Sequence, residues 1–376
     1  MNGDRCRSAD GPKNTTHLAI QEAAGRQRTP DYALVLINAA LVSDDVEEAI
    51  AQLRTALAIL AAANVAPASP IIGRGVAILA QTYAHDDRGI EGAGVLLEHF
   101  RRVDVHPSAS LPILADAVEE VLSRAPPPPL GAALAEQYLR LGRLQPGSSL
   151  EARACAARGQ CAAATDEEDL AVAMLGKALD ILAQGPDADP MEVKSLFDQI
   201  GRCLVALGHL EEAIPPLERC LALERAHLGE TNTDVAISHD YLGRIHHDLE
   251  RFEDAMRHHE FALAIFTAHG DFESSLEQLL ALAEASAFHE DWVTVRDLCD
   301  RAEAIIAERD VDPLLPVPLG ILRLCVYGLV ENGRTGDALD LLDRARNGLA
   351  DAGRTEDWLE RLARDLEDFA AGADGT

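Results

Sequence analysis

Five histidines fall within 21 residues near the middle of the chain and form its most unusual concentration of chemically active side chains. Imidazole nitrogens bind Zn²⁺, and imidazoles change charge near neutral pH. If this segment folds as two antiparallel helices, we expect one imidazole from each helix to face the other, with Asp240 or Asp254 nearby. The facing pair would be His239 and His259, and the candidate metal ligands are His239, His246 and His259, the other two members being His247 and His258.

This histidine cluster has no recognised metal-ligand spacing. The favoured interpretation is therefore that the rings pack as neutral groups, each hydrogen-bonded to a side chain or to water. Elsewhere the Gly73–Gly75 stretch lacks the third glycine and the preceding strand of a phosphate loop, and neither His-Glu-x-x-His nor Gly-x-Ser-x-Gly occurs. The sequence predicts a protein that is not an enzyme and has no cofactor. A metal-binding or hydrolytic protein that uses the histidines is the less favoured alternative.

The histidines lie in the second of two consecutive segments that share one pattern at an offset of 42 residues. Each segment has an amphipathic helix, a short break and a second amphipathic helix. Small residues recur where the two backbones must approach, and Gly243 is expected to face Ala255. The matching positions are Ile200-Gly201, Leu204, Gly208, Leu210, Ala213, Leu217 and Cys220-Leu221 in the first segment, and Leu242-Gly243, His246, Glu250, Phe252, Ala255, His259 and Ala262-Leu263 in the second.

The same pattern continues in both directions and predicts an all-α solenoid of about eight helical hairpins. Anchor positions recur at intervals of 42, 42, 40 and 43 residues, so five regular copies cover 148–350; they are Gly159, Gly201, Gly243, Ala283 and Val326. Residues 31–147 are predicted to form three degenerate hairpins, and residues 1–30 a disordered polar tail. The segment 351–376 is predicted to hold a capping helix over 355–370, from the spacing of Trp358, Leu359, Leu362, Leu366 and Phe369.

The repeated spacing resembles the tetratricopeptide repeat, and the linker LGETNTDVAISHDYLG with the 42-residue period resembles the kinesin light chain subclass. The resemblance implies a right-handed superhelix whose first helices line a concave groove that binds a protein or peptide segment. Kinesin light chain-like repeats usually carry paired asparagines before the first-helix leucine. This chain has Asp198-Gln199 and Asp240-Tyr241 there, so the way that family holds its ligand does not transfer directly.

The resemblance also predicts which side chains point into the groove. Aspartate and arginine recur four residues apart in two successive copies, which would present alternating charge to an extended peptide. The alternative is that each pair forms an ordinary ion pair along one helix face. The predicted groove residues are Arg153, Gln160, Asp198, Arg202, Val205, Asp240, Arg244, His247, Glu277, Glu284, Arg323 and Tyr327.

The formal net charge of −30 limits the partners that the chain can attract. It argues against nucleic acids and anionic membranes, since phosphates would be repelled over most of the surface. A basic protein or peptide is permitted, although acidic side chains also serve simply to solvate outer helix faces. The expected activity is that of a protein-interaction scaffold. A sensory or regulatory receptor for a short peptide or signalling partner is the alternative.

Cysteine usage and the N-terminal residues predict a cytoplasmic location. The seven cysteines include no Cys-x-x-Cys pair, and four of them fall on expected packing positions of the hairpins. Residues 1–30 lack the apolar core of a secretory signal, and no apolar run approaches the ~20 residues that span a bilayer. Abundant Ala, Arg, Asp and Leu with few Lys favour a bacterial source.

Overall fold

In the computed structural model, residues 29–103, 106, 108–185, 188–309, 316–331, 335–351, 361 and 363–364 are described. Within these ranges every regular element is helical, as predicted. The α-helices are α1 Pro30–Ala40, α2 Val46–Ala62, α3 Pro70–His85, α4 Gly89–Arg102, α5 Leu111–Ser123, α6 Pro128–Gly142, α7 Ser149–Ala163, α8 Glu168–Ala183, α9 Pro190–Ala206, α10 Leu210–Leu228, α11 Thr233–Asp248, α12 Phe252–His269, α13 Phe272–Phe288, α14 Trp292–Arg309, α15 Pro316–Glu331 and α16 Thr335–Asp351; a 3₁₀ turn at Ser108–Ser110 precedes α5.

The helices form two compact units, one up to Leu207 and one from Gly208. In the first unit α2 packs on α3, and α6 packs on α7, so the degenerate hairpins stack onto the hairpin formed by α7 and α8. In the second unit α11, α12, α13, α14 and α15 pack in sequence, each on the next. The described helices are too short or too polar to cross a membrane.

The terminal segments fall largely outside this description. Residues 1–28 of the predicted 1–30 tail and most of the predicted capping helix are not among the described residues, which near the C-terminus are 361 and 363–364. Ala363 is buried and belongs to an apolar cluster with Val326, Ala338 and Leu342. The residues whose spacing predicted that helix, Trp358, Leu359, Leu362, Leu366 and Phe369, lie outside the described residues.

The turn inside each hairpin repeats in backbone detail. Residues with left-handed φ recur at Asp166, Gly208, Glu250 and Glu290, separated by 42, 42 and 40 residues. At Glu250 the amide nitrogen donates to the His247 carbonyl at 2.9 Å, and the next amide, of Arg251, donates to the His246 carbonyl at 2.8 Å. This is the hydrogen-bond pattern of a Schellman motif, which closes the last turn of a helix. The sequence period therefore corresponds to a repeated three-dimensional turn.

Alanine, or valine in one copy, occupies one fully buried position of the second helices. The position of Ala255 recurs in each regular copy, and its side chain is fully buried there. A bulkier residue would force the paired helices apart, because packed interiors leave no spare volume. The occupants are Ala171, Ala213, Ala255, Val295 and Ala338, each with 0% exposure.

A glycine on the first helix of a hairpin creates a second close contact. A Cβ on Gly159 would lie 2.8 Å from Leu175 Cγ and 3.2 Å from the Ala171 carbonyl oxygen. A Cβ on Gly243 would lie 2.7 Å from Cε1 of His259. The side chain nearest to Gly243 is that of His259, one helical turn beyond the predicted Ala255, and its imidazole fills the space that the missing Cβ leaves. Leu175 and His259 thus fill equivalent notches in different copies.

We predict that Gly159→Ala lowers the free energy of unfolding by about 1–3 kcal/mol, because the new methyl overlaps both a side chain and a backbone carbonyl. The matched control is Gly176→Ala on α8, where a Cβ would have nothing within 4 Å. Alanine favours a helix over glycine by up to about 1 kcal/mol, so this variant should match or exceed the parent. Denaturant unfolding followed by circular dichroism measures the free energy of unfolding of both variants. Equal effects of the two substitutions would contradict the close contact at Gly159.

Candidate functional site

Three consecutive helices of the second unit carry the candidate site. Helix α11 begins after Asn232, whose side chain accepts a hydrogen bond from the Asp234 amide at 2.8 Å. Helix α13 begins after Asp271, which accepts from the Ser274 amide at 3.1 Å. Both caps satisfy amides that the first turn leaves free, and so fix where the helices start. Helix α12 packs against both α11 and α13.

A cavity of about 430 Å³ opens between side chains of these helices. It brings together five of the predicted groove residues from α11 and α13. Four carboxylates line it against one guanidinium, so the charge balance is acidic. The lining residues are Asp240, Arg244, His247, Asp248, His259, Glu277, Leu280, Ala281 and Glu284. We refer to this cavity as the α11–α13 pocket.

A chain of hydrogen bonds runs along one wall of the α11–α13 pocket. Nε2 of Gln278 donates to Oδ1 of Asp240 at 2.8 Å. Oε1 of Gln278 lies 2.8 Å from Nδ1 of His259. A carboxylate only accepts, so the amide must donate to Asp240 and present its oxygen to the imidazole. His259 must therefore donate from Nδ1, which fixes its tautomer.

This tautomer determines the protonation of the other imidazole nitrogen of His259, Nε2. Nε2 has no proton in this tautomer and finds no hydrogen-bond partner among the described residues. It lies against Gly243, where a Cβ would be 2.8 Å away. Burial lowers the pKa of His259, while the bond to Gln278 and the charge of Asp240 act in the opposite direction. The ring is thus held neutral and fixed in orientation, as a wall of the pocket.

The charged groups of the pocket are only partly satisfied by one another. Burial, with a further contribution from Asp240, raises the pKa of Glu277. Arg244 has no ion pair within 4 Å among the described residues, although its charge partly offsets that rise. Glu284 lies 3.5 Å from the guanidinium of Arg323. A cation placed between Glu277 and Asp240 would relieve their repulsion.

The remaining predicted groove residues divide between the two units. In the second unit, Tyr327 is 42% exposed on α15. In the first unit, Asp198 and Arg202 pair with each other at 2.8 Å. This is the ion pair along one helix face that the four-residue spacing left open as an alternative. The equivalent Asp240 binds Gln278 instead. Val205 on α9 is partly buried.

Arg153 and Gln160 line a different cavity, of about 620 Å³, in the first unit. The Arg153 guanidinium is already surrounded by carboxylates, at 2.7 Å from Asp116, 2.6 Å from Glu119 and 3.3 Å from Glu192. The contacts with Glu119 and Asp116 raise its pKa despite burial. Arg153 therefore holds three helices together, and its donors are occupied in this structure.

The histidine cluster is arranged differently from the prediction. Nδ1 of His239 lies 3.0 Å from Nδ1 of His258, whereas Nδ1 of His259 lies against Gln278. Neighbouring residues on a helix point about 100° apart, so His259 faces α13 while His258 faces a small cavity on the other side. That cavity is lined by Glu218, His239, His246, Asp254, Arg257, His258 and Phe261.

The rings in this second cavity stack on one another. His246 stacks on His258 with centroids 5.3 Å apart, and His239 stacks on Phe261 at 5.0 Å. Among the described residues no group of three or more His, Cys, Asp or Glu side chains is placed to hold a metal ion. The candidate ligands His239, His246 and His259 are thus split between two faces of α12. Packing accounts for their geometry.

Sequence reasoning missed Gln278, which is 1% exposed. It also missed Asp248 and Glu218, which line the two cavities. A signal existed for Gln278, because it lies on the buried stripe of α13 with Ser275 and Leu282. A buried amide in such a stripe needs hydrogen-bond partners. No comparable signal marked the two acids, since acidic residues are common on all helix surfaces of this chain.

Comparisons with known proteins identify the repeat. A sequence model of the tetratricopeptide repeat matches residues 194–268, which confirms the predicted family resemblance there. A comparison with curated protein sequences found no match. The C-terminal part of a repeat-containing protein from Cytophaga hutchinsonii is 14% identical, with a TM-score of 0.51, over 78% of this chain and 99% of that one. It supports the fold alone.

Two further solved structures resemble the chain more weakly. Repeats from a Podosopora anserina protein described as a kinesin light chain are 21% identical, with a TM-score of 0.43, over 54% of this chain and 96% of theirs. Aspartyl phosphate phosphatase F from Bacillus subtilis is 17% identical, with a TM-score of 0.45, over 80% and 79% of the two chains.

The second cavity predicts a pH dependence of stability. Burial, and the charges of neighbouring groups, lower the pKa of both His239 and His258 to about 4, from an ordinary value of 6.5. Between those values the unfolded chain binds more protons than the folded chain, so the free energy of unfolding should be level above about pH 6.5 and fall as pH drops toward 4. Denaturant unfolding at a series of pH values measures it.

Two variants test whether the histidines of the second cavity cause this pH dependence of the free energy of unfolding. His258→Gln should flatten the dependence between pH 6.5 and 5, because one titrating ring is gone and its charge no longer opposes protonation of His239 and His246. His227→Gln, at an exposed position on α10, should leave the slope as it is. If both variants kept the parent slope, the stacked rings would not be its cause.

Proposed function

We propose, on the premise that residues 194–268 are tetratricopeptide repeats, that this chain is a non-catalytic scaffold that binds an extended protein segment. The proposal locates the binding centre at the α11–α13 pocket. The observation that carries it is the grouping, in one open cavity, of five groove residues predicted from the repeat, with an excess of negative charge. Convergent charged groups of this kind give specificity for a partner of opposite charge.

The charge of the pocket defines the chemistry of the segment. Asp240, Glu277 and Glu284 supply acceptors for a lysine or arginine side chain, and charge-assisted bonds of this type are about twice as strong as neutral ones. Arg244, which has no carboxylate within 4 Å among the described residues, can take a backbone carbonyl or a carboxylate of the same segment. The apolar side chains of Leu280 and Ala281 complete the floor. We infer that a basic residue of the partner enters this pocket.

Acidic surroundings favour the same class of partner. The whole chain carries a formal net charge of −30, which speeds encounters with basic surfaces and slows those with phosphates. We extend the proposal to a cytoplasmic location, where thiols stay reduced. The six cysteines in the described residues are free, in keeping with such a compartment.

The proposal is tested by selecting binders from a random peptide library displayed against the purified protein. Selected peptides should be enriched in lysine or arginine. In Glu277→Gln/Glu284→Gln, the same peptides should bind at least about tenfold more weakly, which corresponds to the ~1.4 kcal/mol expected from losing charge-assisted contacts. Titration by fluorescence anisotropy at low and high salt gives the dissociation constants.

The matched control is Glu273→Gln, which removes a charge from the same helix outside the pocket and at an exposed position. It should change the affinity less than about twofold, because its long-range effect is screened by salt. Equal weakening by Glu273→Gln would mean that overall charge, and not the pocket, attracts the peptides. Selection of acidic peptides would contradict the proposal outright.

A further inference from the structure

Two cysteines of neighbouring helices share a cavity that the proposed function does not use. Cys299 on α14 and Cys325 on α15 both line a space of about 270 Å³ in the second unit, together with Glu303. Both are free thiols. Cys299 is 2% exposed, whereas Cys325 is only partly buried. One thiol is therefore open to small molecules while the other lies behind it.

Two contacts fix the register of these helices at the cysteines. Sγ of Cys299 lies 3.9 Å from the carbonyl oxygen of Ile321, one turn before Cys325. Sγ of Cys325 lies 3.6 Å from Oε1 of Glu303, one turn after Cys299. In an antiparallel pair, the contacts of Cys299 with Ile321 and of Cys325 with Glu303 are symmetric when position 299 of α14 lies opposite position 325 of α15. The two contacts therefore place Cys299 and Cys325 face to face.

Small residues lie near the two cysteines on both helices. Gly328 follows Cys325 by almost one turn, and a Cβ there would make an ordinary van der Waals contact, 3.9 Å from Cγ1 of Val295. Ala302 follows Cys299 by almost one turn and is fully buried. A disulfide needs Cα atoms within about 7 Å of each other, a separation that bulky neighbours would prevent.

We propose that Cys299 and Cys325 form an oxidation site, at which hydrogen peroxide converts two facing thiols into a disulfide that joins α14 to α15. The more exposed Cys325 loses its proton to solvent, and its sulfur attacks one peroxide oxygen. The S–O bond forms, the O–O bond breaks, and the leaving hydroxide takes a proton to become water. The product is a sulfenic acid on Cys325.

The facing thiol completes the reaction. Cys299 loses its proton, its sulfur attacks the sulfenic sulfur of Cys325, the S–S bond forms and the S–O bond breaks. The departing hydroxide leaves as a second water. Two thiols are oxidised by two electrons in total, and one peroxide is reduced to two waters. A reducing thiol reverses the change.

The groups around Cys325 determine the pH at which its thiol is oxidised. The neighbouring Cys299 thiol, burial and the Glu303 carboxylate raise the pKa of Cys325, so the resting Cys325 thiol stays protonated at neutral pH. Because the thiolate is the reacting form, the reaction should accelerate as pH rises. Once formed, the bond would join two successive hairpins across 26 residues of chain. It would therefore resist their separation.

Peptide mapping by mass spectrometry tests the proposal on the full-length folded protein. After treatment with hydrogen peroxide, free thiols are alkylated and the protein is digested with trypsin. The sequence places Cys299 in the tryptic peptide 297–301 and Cys325 in 324–334. We expect these two peptides to be linked, with a mass two hydrogens below their sum, and to separate on reduction.

Thermal unfolding provides a second readout that does not depend on peptide recovery. The oxidised parent should unfold at a higher temperature than the reduced parent. Cys203→Ser, which removes another half-buried thiol, should keep both the link and the rise, whereas Cys299→Ser should lose both. Alkylation of both thiols after peroxide treatment, or a link from either peptide to another cysteine, would overturn the proposal.

Discussion

The contact between a glycine on one helix and a large side chain on its partner is the constraint on which the second unit depends. At Gly243 the missing Cβ leaves room for the imidazole of His259, which is fully buried there. In the copy at Gly159 a leucine fills the same notch. An aliphatic side chain needs only volume, but an imidazole also needs a partner for its polar atoms. A histidine in the place of the leucine therefore requires a hydrogen-bond partner on the helix that follows.

That requirement links the core of the hairpin to its surface. His259 donates to Gln278, and Gln278 donates to Asp240, so a buried ring fixes a carboxylate that lines the α11–α13 pocket. On the opposite side of α12, His258 contacts His239 and stacks on His246. Two adjacent histidines thus serve different faces. One orders a pocket, and the other belongs to a ring stack that favours the neutral form.

The fold was largely predictable from the sequence because its period is long and its anchors are small. Ala213 and Ala255 occupy buried positions that the 42-residue offset had identified. The site was predictable only in part. Asp240, Arg244 and Glu277, which the repeat assigned to one groove, line one pocket. His239 contacts His258 and not the predicted His259, because a one-residue step along a helix rotates a side chain by about 100°. Asp198 and Asp240 hold equivalent positions yet have different partners, Arg202 for the first and Gln278 for the second.

The protonation state of His259 is the most direct test of this account. Nitrogen-15 NMR of the protein labelled at its histidines, with His259→Asn to assign the signal, distinguishes the two neutral tautomers and the cation. The account predicts that at pH 7 His259 is neutral, with its proton on Nδ1 and a bare Nε2. A proton on Nε2 would contradict it, because that nitrogen lies against Gly243, and Gln278 could not then donate to Asp240 while accepting from the ring. A charged ring at pH 7 would contradict it equally.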